Sequence, residues 1–280
     1  MEMHSIGRWI VGIGAAVLLA AAPRMVPAQP QADDEPQPRR TWDAAIGFVG
    51  GYAPEYAGSS RWAGSIKPGG WLRIGRVSIA SRSSFVVRNN EPVAGGGLRV
   101  DLSPNERLRV GLGLRHDGGR KESDSVDLKG LGDVRRTVRL RLGASYPLDG
   151  GPRLGASVSV DALGRGGGET GDVNVSRGFP LAPDLNASLG AAIGLGSARH
   201  MQAYYGVTEE QSARSGYPVY TPGAGLRDVS LSAGLRWYFA RDFVAFGGVS
   251  ASRLVGPAAA SPLVRERNSW GLSLGMAYRL

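Results

Sequence analysis

Arginines recur at every second position in several segments of this chain, and a few aspartates share their register. If these residues face the inside of a barrel, one interpretation is a pore lining, because a ring of fixed positive charge concentrates anions. A second interpretation is an Arg–Asp network that fills a narrow lumen, because planar guanidinium groups form several fixed hydrogen bonds. The candidate lumen-lining residues are Arg107, Arg109, Arg115, Arg135, Arg139, Arg141, Arg236 and Asp161.

The chain contains few residues of the types that carry out catalysis or bind metal ions. The chain has no cysteine, which excludes disulfides, thiolate metal sites and cysteine nucleophiles. Beyond the N-terminal segment the histidines are His116 and His200, and His116 continues the apolar face of a predicted strand, where a general base would be poorly oriented. The carboxylates between Glu122 and Asp127 lack the spacing of an EF-hand. The sequence therefore predicts no enzyme, no cofactor and no metal site.

The segments that carry the arginines alternate apolar and polar residues with a period of two. From Val134 to Tyr146 one face is apolar except for Arg136, which we expect at the membrane interface. Strands of about ten residues with one apolar and one polar face are typical of transmembrane β-barrels, where lipid contacts one face. Stronger or weaker alternation predicts further strands near 42–51, 66–74, 77–87, 95–102, 108–114, 154–162, 171–179, 185–195, 229–239, 243–254 and 270–280.

The connections between these strands alternate strictly between long and short. Segments 52–65 and 197–227 are long, whereas connections such as 75–76, 103–105 and 149–151 are short and rich in glycine, proline, asparagine and aspartate. A soluble sandwich has no reason for this alternation, so the sequence predicts an all-β, antiparallel outer-membrane barrel of about twelve strands, with long extracellular loops and short periplasmic turns. Aromatic residues expected in girdles at the two membrane interfaces are Trp42, Trp71, Tyr146, Trp237, Phe239, Trp270 and Tyr278.

The N-terminus indicates export. Arg8 precedes an apolar run, Trp9–Ala22, that is too short for a stable bilayer span, and small residues at Val26 and Ala28 predict cleavage after Ala28. The predicted organisation is a signal peptide at 1–28, a disordered periplasmic lead-in at 29–40 and the barrel at 41–280. The net charge is +9, but the basic residues alternate into a lumen, which excludes nucleic-acid binding.

Several loop segments resemble one known family in the same order along the chain. They read GYAPEYAGS at 51–59, GRKESDS at 119–125, LKGLGD at 128–133, YGVT at 205–208 and QSARSGYPVY at 211–220. Together with GAGL at 223–226 they resemble the MipA/OmpV family over about residues 42–280. The residues of this chain that carry the resemblance are Tyr52, Pro54, Tyr56, Gly58, Arg120, Ser123, Asp124, Leu128, Gly130, Gly132, Asp133, Gly206, Ser212, Ser215, Gly216, Pro218, Tyr220, Gly225, Ser261 and Pro262.

The resemblance implies an outer-membrane protein without catalytic activity of its own. It implies a scaffold that joins a murein lytic transglycosylase to a penicillin-binding protein, in contact with outer-membrane lipid and lipopolysaccharide. The alternative is a narrow channel for small anionic solutes, since OmpV-like members are porin-like. Because the matching segments lie in loops placed outside the cell, a scaffold would have to meet periplasmic enzymes through residues 29–40 or the short turns.

Overall fold

The computed structural model describes residues 42–81, 96–103 and 107–280. The predicted signal peptide, the predicted lead-in and the second half of the strand expected at 77–87 lie outside the described residues. Every strand in the described part pairs with both neighbours in antiparallel register, and β1 closes on β12. The strands are β1 Trp42–Pro54, β2 Trp62–Ile74, β3 Val77–Ala80, β4 Gly97–Asp101, β5 Arg109–Asp117, β6 Thr137–Pro147, β7 Arg153–Asp161, β8 Thr170–Ala182, β9 Leu185–Gly196, β10 Gly225–Trp237, β11 Phe243–Leu254 and β12 Asn268–Arg279.

The predicted alternation sets which side chains face outward. On β6 the side chains of Arg139 and Ser145 are buried inside the barrel, whereas Leu142 between them is 48% exposed on the outside. The same pattern leaves large apolar side chains such as Phe48 and Leu274 more than half exposed on the outer wall. Such a wall is stable only in an apolar solvent, because lipid removes the cost of exposing it to water.

Aromatic side chains mark both ends of the outer wall. Near one end the ring centroids of Trp62 and Trp270 lie 4.4 Å apart, and near the other those of Phe243 and Tyr278 lie 5.1 Å apart. Trp270 and Tyr278 are on one strand, and at about 3.4 Å per residue the separation is about 27 Å along β12. At the usual strand tilt of about 35–45° this separation projects to roughly 20 Å along the membrane normal, close to the apolar band of about 25 Å of an outer-membrane barrel.

The expectation that Trp71 lies in an aromatic girdle at the membrane interface is wrong. Its strand partners are Ala45 and Ala80, so its side chain points into the lumen, where it is only 6% exposed. There it packs in a small apolar cluster with Val49 and Val244. The alternation contained the signal for this position, because Leu72 and Ile74 face outward and Trp71 lies in the opposite register.

Long and short connections lie at opposite ends of the barrel, as predicted. The short-turn end carries tight connections such as those at 75–76 and 183–184. The long-loop end carries two 3-10 turns and three helices, and among the described residues no helix is long and apolar enough to span a membrane. These elements are the 3-10 turns Glu122–Asp124 and Val126–Leu128 and the helices α1 Ala198–Tyr205, α2 Glu209–Ser215 and α3 Gly256–Ala259.

Candidate functional site

The loops at the long-loop end pack against one another instead of projecting separately. We call residues 55–61, 118–136, 162–169, 197–224 and 255–267 the cap. One apolar cluster of the cap joins Leu128, Val207 and Leu263, each at most 1% exposed, to Tyr56. A second cluster contains Met201 and is formed further by Tyr205, Leu254 and Ala258. Because these residues come from different loops, their burial fixes the loops relative to one another.

Hydrogen bonds between distant loops complete the cap. The Tyr56 hydroxyl donates to the carbonyl oxygen of Leu263 over 3.0 Å, and the Ser261 hydroxyl donates to that of Tyr205 over 2.6 Å. The buried guanidinium of Arg120 donates to the carbonyl oxygen of Tyr204 over 2.6 Å. Burial raises the pKa of both Tyr56 and Tyr205 to about 12, so both phenols stay neutral donors at ordinary pH.

The acidic segment of the cap is bonded to its own backbone. The Glu122 carboxylate accepts from the amides of Gly130 and Gly132 at 2.9 and 2.8 Å, and these bonds lower the pKa of Glu122. Gly130 has a φ of 85°, and a Cβ there would lie 2.8 Å from the carbonyl oxygen of Arg214, so only glycine fits. Asp124 accepts from the Lys121 amide over 2.8 Å. Within the described residues no group of acidic and histidine side chains could hold a metal ion.

Most of the residues that carry the family resemblance lie in the cap, although they come from separate loops. Gly58 accepts from the amides of Arg265 and Glu266, and Tyr220 donates to the carbonyl oxygen of Pro257. Gly216 ends α2 in the left-handed conformation. Tyr52, Pro54 and Gly225 lie instead on strands. The other cap members are Tyr56, Arg120, Ser123, Asp124, Leu128, Gly130, Gly132, Asp133, Gly206, Ser212, Ser215, Pro218, Ser261 and Pro262.

Below the cap, Arg139 joins three parts of the structure. Its guanidinium is 3% exposed and donates from Nε to Asp117 Oδ2 on β5 over 2.6 Å. Its two terminal nitrogens donate to the carbonyl oxygens of Gly168 and Gly167 over 3.0 and 2.8 Å. Asp161 accepts from the Gly167 amide over 2.9 Å and from the Thr137 hydroxyl. Two predicted lumen residues, Arg139 and Asp161, therefore hold the 162–169 loop against the barrel.

His200 connects helix α1 to the hydrogen-bond network around Arg139. Its Nδ1 lies 3.0 Å from the carbonyl oxygen of Gly167, so Nδ1 must carry a proton, and its ring stacks on Tyr204 at 4.7 Å. Burial lowers the pKa of His200 to about 4, which keeps the ring neutral. A Cβ on the inward-facing Gly196 would lie 2.9 Å from the His200 ring, so α1 lies directly on the inner wall. These contacts orient a helix.

The other predicted lumen arginines divide into two sets. Arg109, Arg115 and Arg141 lie on inward positions of β5 and β6, and Arg236 lies on an inward position near the end of β10. Arg107 and Arg135 do not line the lumen. Both precede their strands, since β5 begins at Arg109 and β6 at Thr137, and both side chains are exposed at the rims of the barrel. Arg136 is also exposed, directly before β6.

The sequence interpretation missed several inward-facing charged residues. Arg227 is an extra residue at a register shift in β10, and this bulge turns it toward Asp172 and Asp228. Arg99 lies on β4, whose five residues are too few for a clear alternation. Asp117 shares the face of Arg115 two positions earlier, and that spacing is the one sequence feature that could have revealed it.

A closed antiparallel barrel with an apolar exterior, aromatic clusters near both strand ends and a charged interior is a β-barrel of the outer-membrane type. The chain belongs to the MipA family: the model of that family, described as MltA-interacting protein MipA, matches residues 46–280. This match confirms the resemblance found in the loop segments. No curated protein matches the chain.

Similar solved structures include outer-membrane porins. The NanC porin shares 7% identity over 84% of this chain and 100% of its own, with a TM-score of 0.41. An anion-selective porin from Comamonas acidovorans shares 11% over 86% and 99%, with a TM-score of 0.38. OmpT of Vibrio cholerae shares 7% over 85% and 97%, with a TM-score of 0.39.

Proposed function

We propose that this barrel is a non-enzymatic scaffold in the cell outer membrane that links the membrane to peptidoglycan-remodelling enzymes. The observation that carries the proposal is the packed cap, in which loops from four connections share two apolar clusters. A well-packed end favours a scaffold over an open channel, while the contacts with the partners are assigned to the opposite end of the barrel. The family description, MltA-interacting protein, supports a lytic transglycosylase as one partner, and a penicillin-binding protein is the second partner we propose.

The proposed orientation places the long-loop end outside the cell and the short-turn end in the periplasm, as is usual for outer-membrane barrels. The enzymes would then meet the short turns and the 29–40 segment. Arg76 and Arg241 are exposed on two of these turns, and Leu148 is 42% exposed on a third. An exposed set of cationic and apolar side chains is suited to a protein partner. The apolar wall would contact lipid and lipopolysaccharide.

The absence of catalysis is part of the proposal. His200 would be the base of any histidine-dependent hydrolase in the cap, yet its Nδ1 is bound to a backbone carbonyl and its low pKa keeps the imidazole neutral. The ring centroid of Tyr204 lies 4.7 Å from that of His200, and the Tyr204 hydroxyl donates to Asp117. These groups are committed to holding α1, so they do not form a nucleophile and base pair.

A narrow channel for small anionic solutes is the second candidate. It is favoured by the inward-facing arginines, among them Arg109, Arg115 and Arg141. The cap opposes it, because Arg139 and His200 tie the 162–169 loop and α1 to the inner wall. Single-channel conductance in a planar bilayer tests this candidate: discrete steps with anion preference would support it, and a silent inserted barrel would exclude it.

Capture of a purified MltA-class transglycosylase by the immobilised, folded chain tests the scaffold. The first variant reverses two exposed cations of the short-turn end, Arg76→Glu with Arg241→Glu. The matched control reverses two exposed cations of the long-loop end, Arg199→Glu with Arg267→Glu. We expect the first pair to weaken capture about tenfold and the control pair to leave it unchanged. Loss of capture in the control pair alone would reject the periplasmic contact.

A chain that lacks residues 29–40 gives the second arm of this experiment. We expect reduced capture while the barrel still assembles, as judged by its circular dichroism. The same comparison with a penicillin-binding protein tests the second partner. Undiminished capture by both the truncated chain and the short-turn variant would reject the proposed interface.

A further inference from the structure

A small cavity lies inside the barrel just below the Arg139 network. Its volume is about 50 Å³, and Arg99, Arg115 and Arg141 line it together with glycines. The three arginines come from three adjacent strands, β4, β5 and β6. We call it the arginine cavity. It takes no part in the scaffold contacts proposed above, because it opens into the lumen.

Strand register brings the three guanidinium groups together. Gly113 on β5 lies directly between Arg99 on β4 and Arg141 on β6, and Arg115 follows two positions later on the same face. Gly111 provides the space, since a Cβ there would lie 2.4 Å from a terminal nitrogen of Arg99. Gly143 lies beside it on β6 and lines the same cavity. A side chain at these inward positions would occupy the space where the guanidinium groups converge.

No carboxylate is among the described residues that line the arginine cavity, whereas two other lumen arginines are paired with carboxylates. Arg139 has Asp117, and Arg227 has Asp228 and Asp172. Among the described residues, neither Arg115 nor Arg141 has a carboxylate within ion-pair distance. One terminal nitrogen of Arg141 donates to the Ser157 hydroxyl over 2.8 Å, whereas its Nε is buried without a hydrogen-bond partner.

Partly buried cations that border one cavity repel each other, and a buried donor without an acceptor is unfavourable. A bound anion relieves both effects, because it neutralises charge and accepts hydrogen bonds from several guanidinium forks. We propose that the arginine cavity binds one small oxyanion of the phosphate, sulfate or carboxylate class. A volume of about 50 Å³ matches the size of such a small ion.

Titration calorimetry with inorganic phosphate tests this proposal on the full, folded chain in a non-ionic detergent. Chloride holds the ionic strength constant, so that a general electrostatic field does not contribute. We expect saturable binding of one phosphate per chain, with sulfate and acetate competing. Binding that grows linearly with phosphate, or that chloride displaces equally well, would overturn the proposal.

The variant Arg115→Gln with Arg141→Gln removes two of the three cations. We expect phosphate binding at least about tenfold weaker, because charge-assisted hydrogen bonds are lost. The matched control is Arg153→Gln, which removes an inward-facing arginine of β7. The strand partner of Arg141 on β7 is Ser159, and Arg153 lies six residues, or roughly 20 Å, from it along the strand. An equal loss in this control would overturn the assignment of the site.

One further variant and one competition experiment test the same site independently. Arg141→Lys retains the charge without the planar fork, so binding is expected to weaken and still be measurable, even if the double variant fails to fold. Unchanged binding in Arg141→Lys would show that the fork is not used. Lipopolysaccharide micelles present phosphate on a lipid, and we expect no competition from them, since the cavity opens to the lumen. Competition would place the site on the outer wall and overturn the proposal.

Discussion

Arg139 and Arg141 lie two residues apart on the inner face of β6, yet their surroundings differ completely. Arg139 is 3% exposed and gives its hydrogen bonds to Asp117 and to the backbone of the 162–169 loop. Arg141 borders a cavity, and one of its terminal nitrogens donates to the Ser157 hydroxyl. The same residue type in the same register therefore acts as a structural tie in one place and leaves donors for a ligand in the other. The presence of a nearby carboxylate makes the difference.

Removal of the structural tie is expected to have the largest effect. Arg139→Ala leaves the partly buried Asp117 without its counter-charge and removes a buried guanidinium with three hydrogen bonds, which together cost about 3–5 kcal/mol of unfolding free energy. The cap should loosen at the same time, because Gly167 and Gly168 lose their donor. Urea unfolding in micelles measures the first effect, and limited proteolysis at 162–169 measures the second. Arg141→Ala is the matched comparison, and an equally large loss there would erase the distinction between the two arginines.

The apolar core of the cap is expected to contribute the next largest effect. Leu128 is fully buried between loops, so Leu128→Ala should cost about 2–5 kcal/mol of cap stability. Leu142→Ala on the outer wall is the control, since Leu142 is 48% exposed and faces lipid. Hydrogen exchange of the cap amides measures both variants. Equal protection in the two would contradict a separately packed cap.

Acid is expected to weaken the cap through His200. The pKa of His200 is about 4 in the folded cap and about 6.5 in an unfolded chain. As the pH falls, the imidazole is therefore protonated at a higher pH in the unfolded state than in the folded state. Stability is therefore complete above about pH 6.5, falls by about 2 kcal/mol by pH 5 and levels off below pH 4. The neighbouring charges are Arg139, Arg227 and Asp117. The wild-type cap should become more sensitive to protease between pH 7 and 5, and the His200→Gln cap should not. If the variant also becomes more sensitive, another titratable group causes the effect.

An exposed ion pair of the cap should matter least. Arg61 lies 3.8 Å from Asp127 with its side chain 57% exposed, so water and salt screen the pair. Arg61→Ala is expected to change the unfolding free energy by less than about 1 kcal/mol. A loss as large as that of Arg139→Ala would mean that burial does not set the value of these ion pairs.

The alternation of apolar and polar residues predicted the barrel and which face of each strand points inward. The sequence prediction failed at particular residues. Trp71 keeps the period of two but occupies an inward position instead of a girdle, Arg107 and Arg135 lie outside the strands, and Arg227 enters the lumen through a bulge. The cap was not predicted as a packed unit. Its bonds join residues such as Arg120 and Tyr204, 84 positions apart, and no local pattern encodes such a contact.

The sequence by itself determined the antiparallel barrel, the segregation of long and short connections and the family, because each follows from local periodicity or from segments read in order. Only the tertiary structure decided which charges are paired. Asp117 reaches Arg139, whereas no carboxylate reaches Arg141 within ion-pair distance among the described residues. That outcome depends on strand register and on where loops fold back, and the energy of a buried charge depends on atoms a few ångströms away.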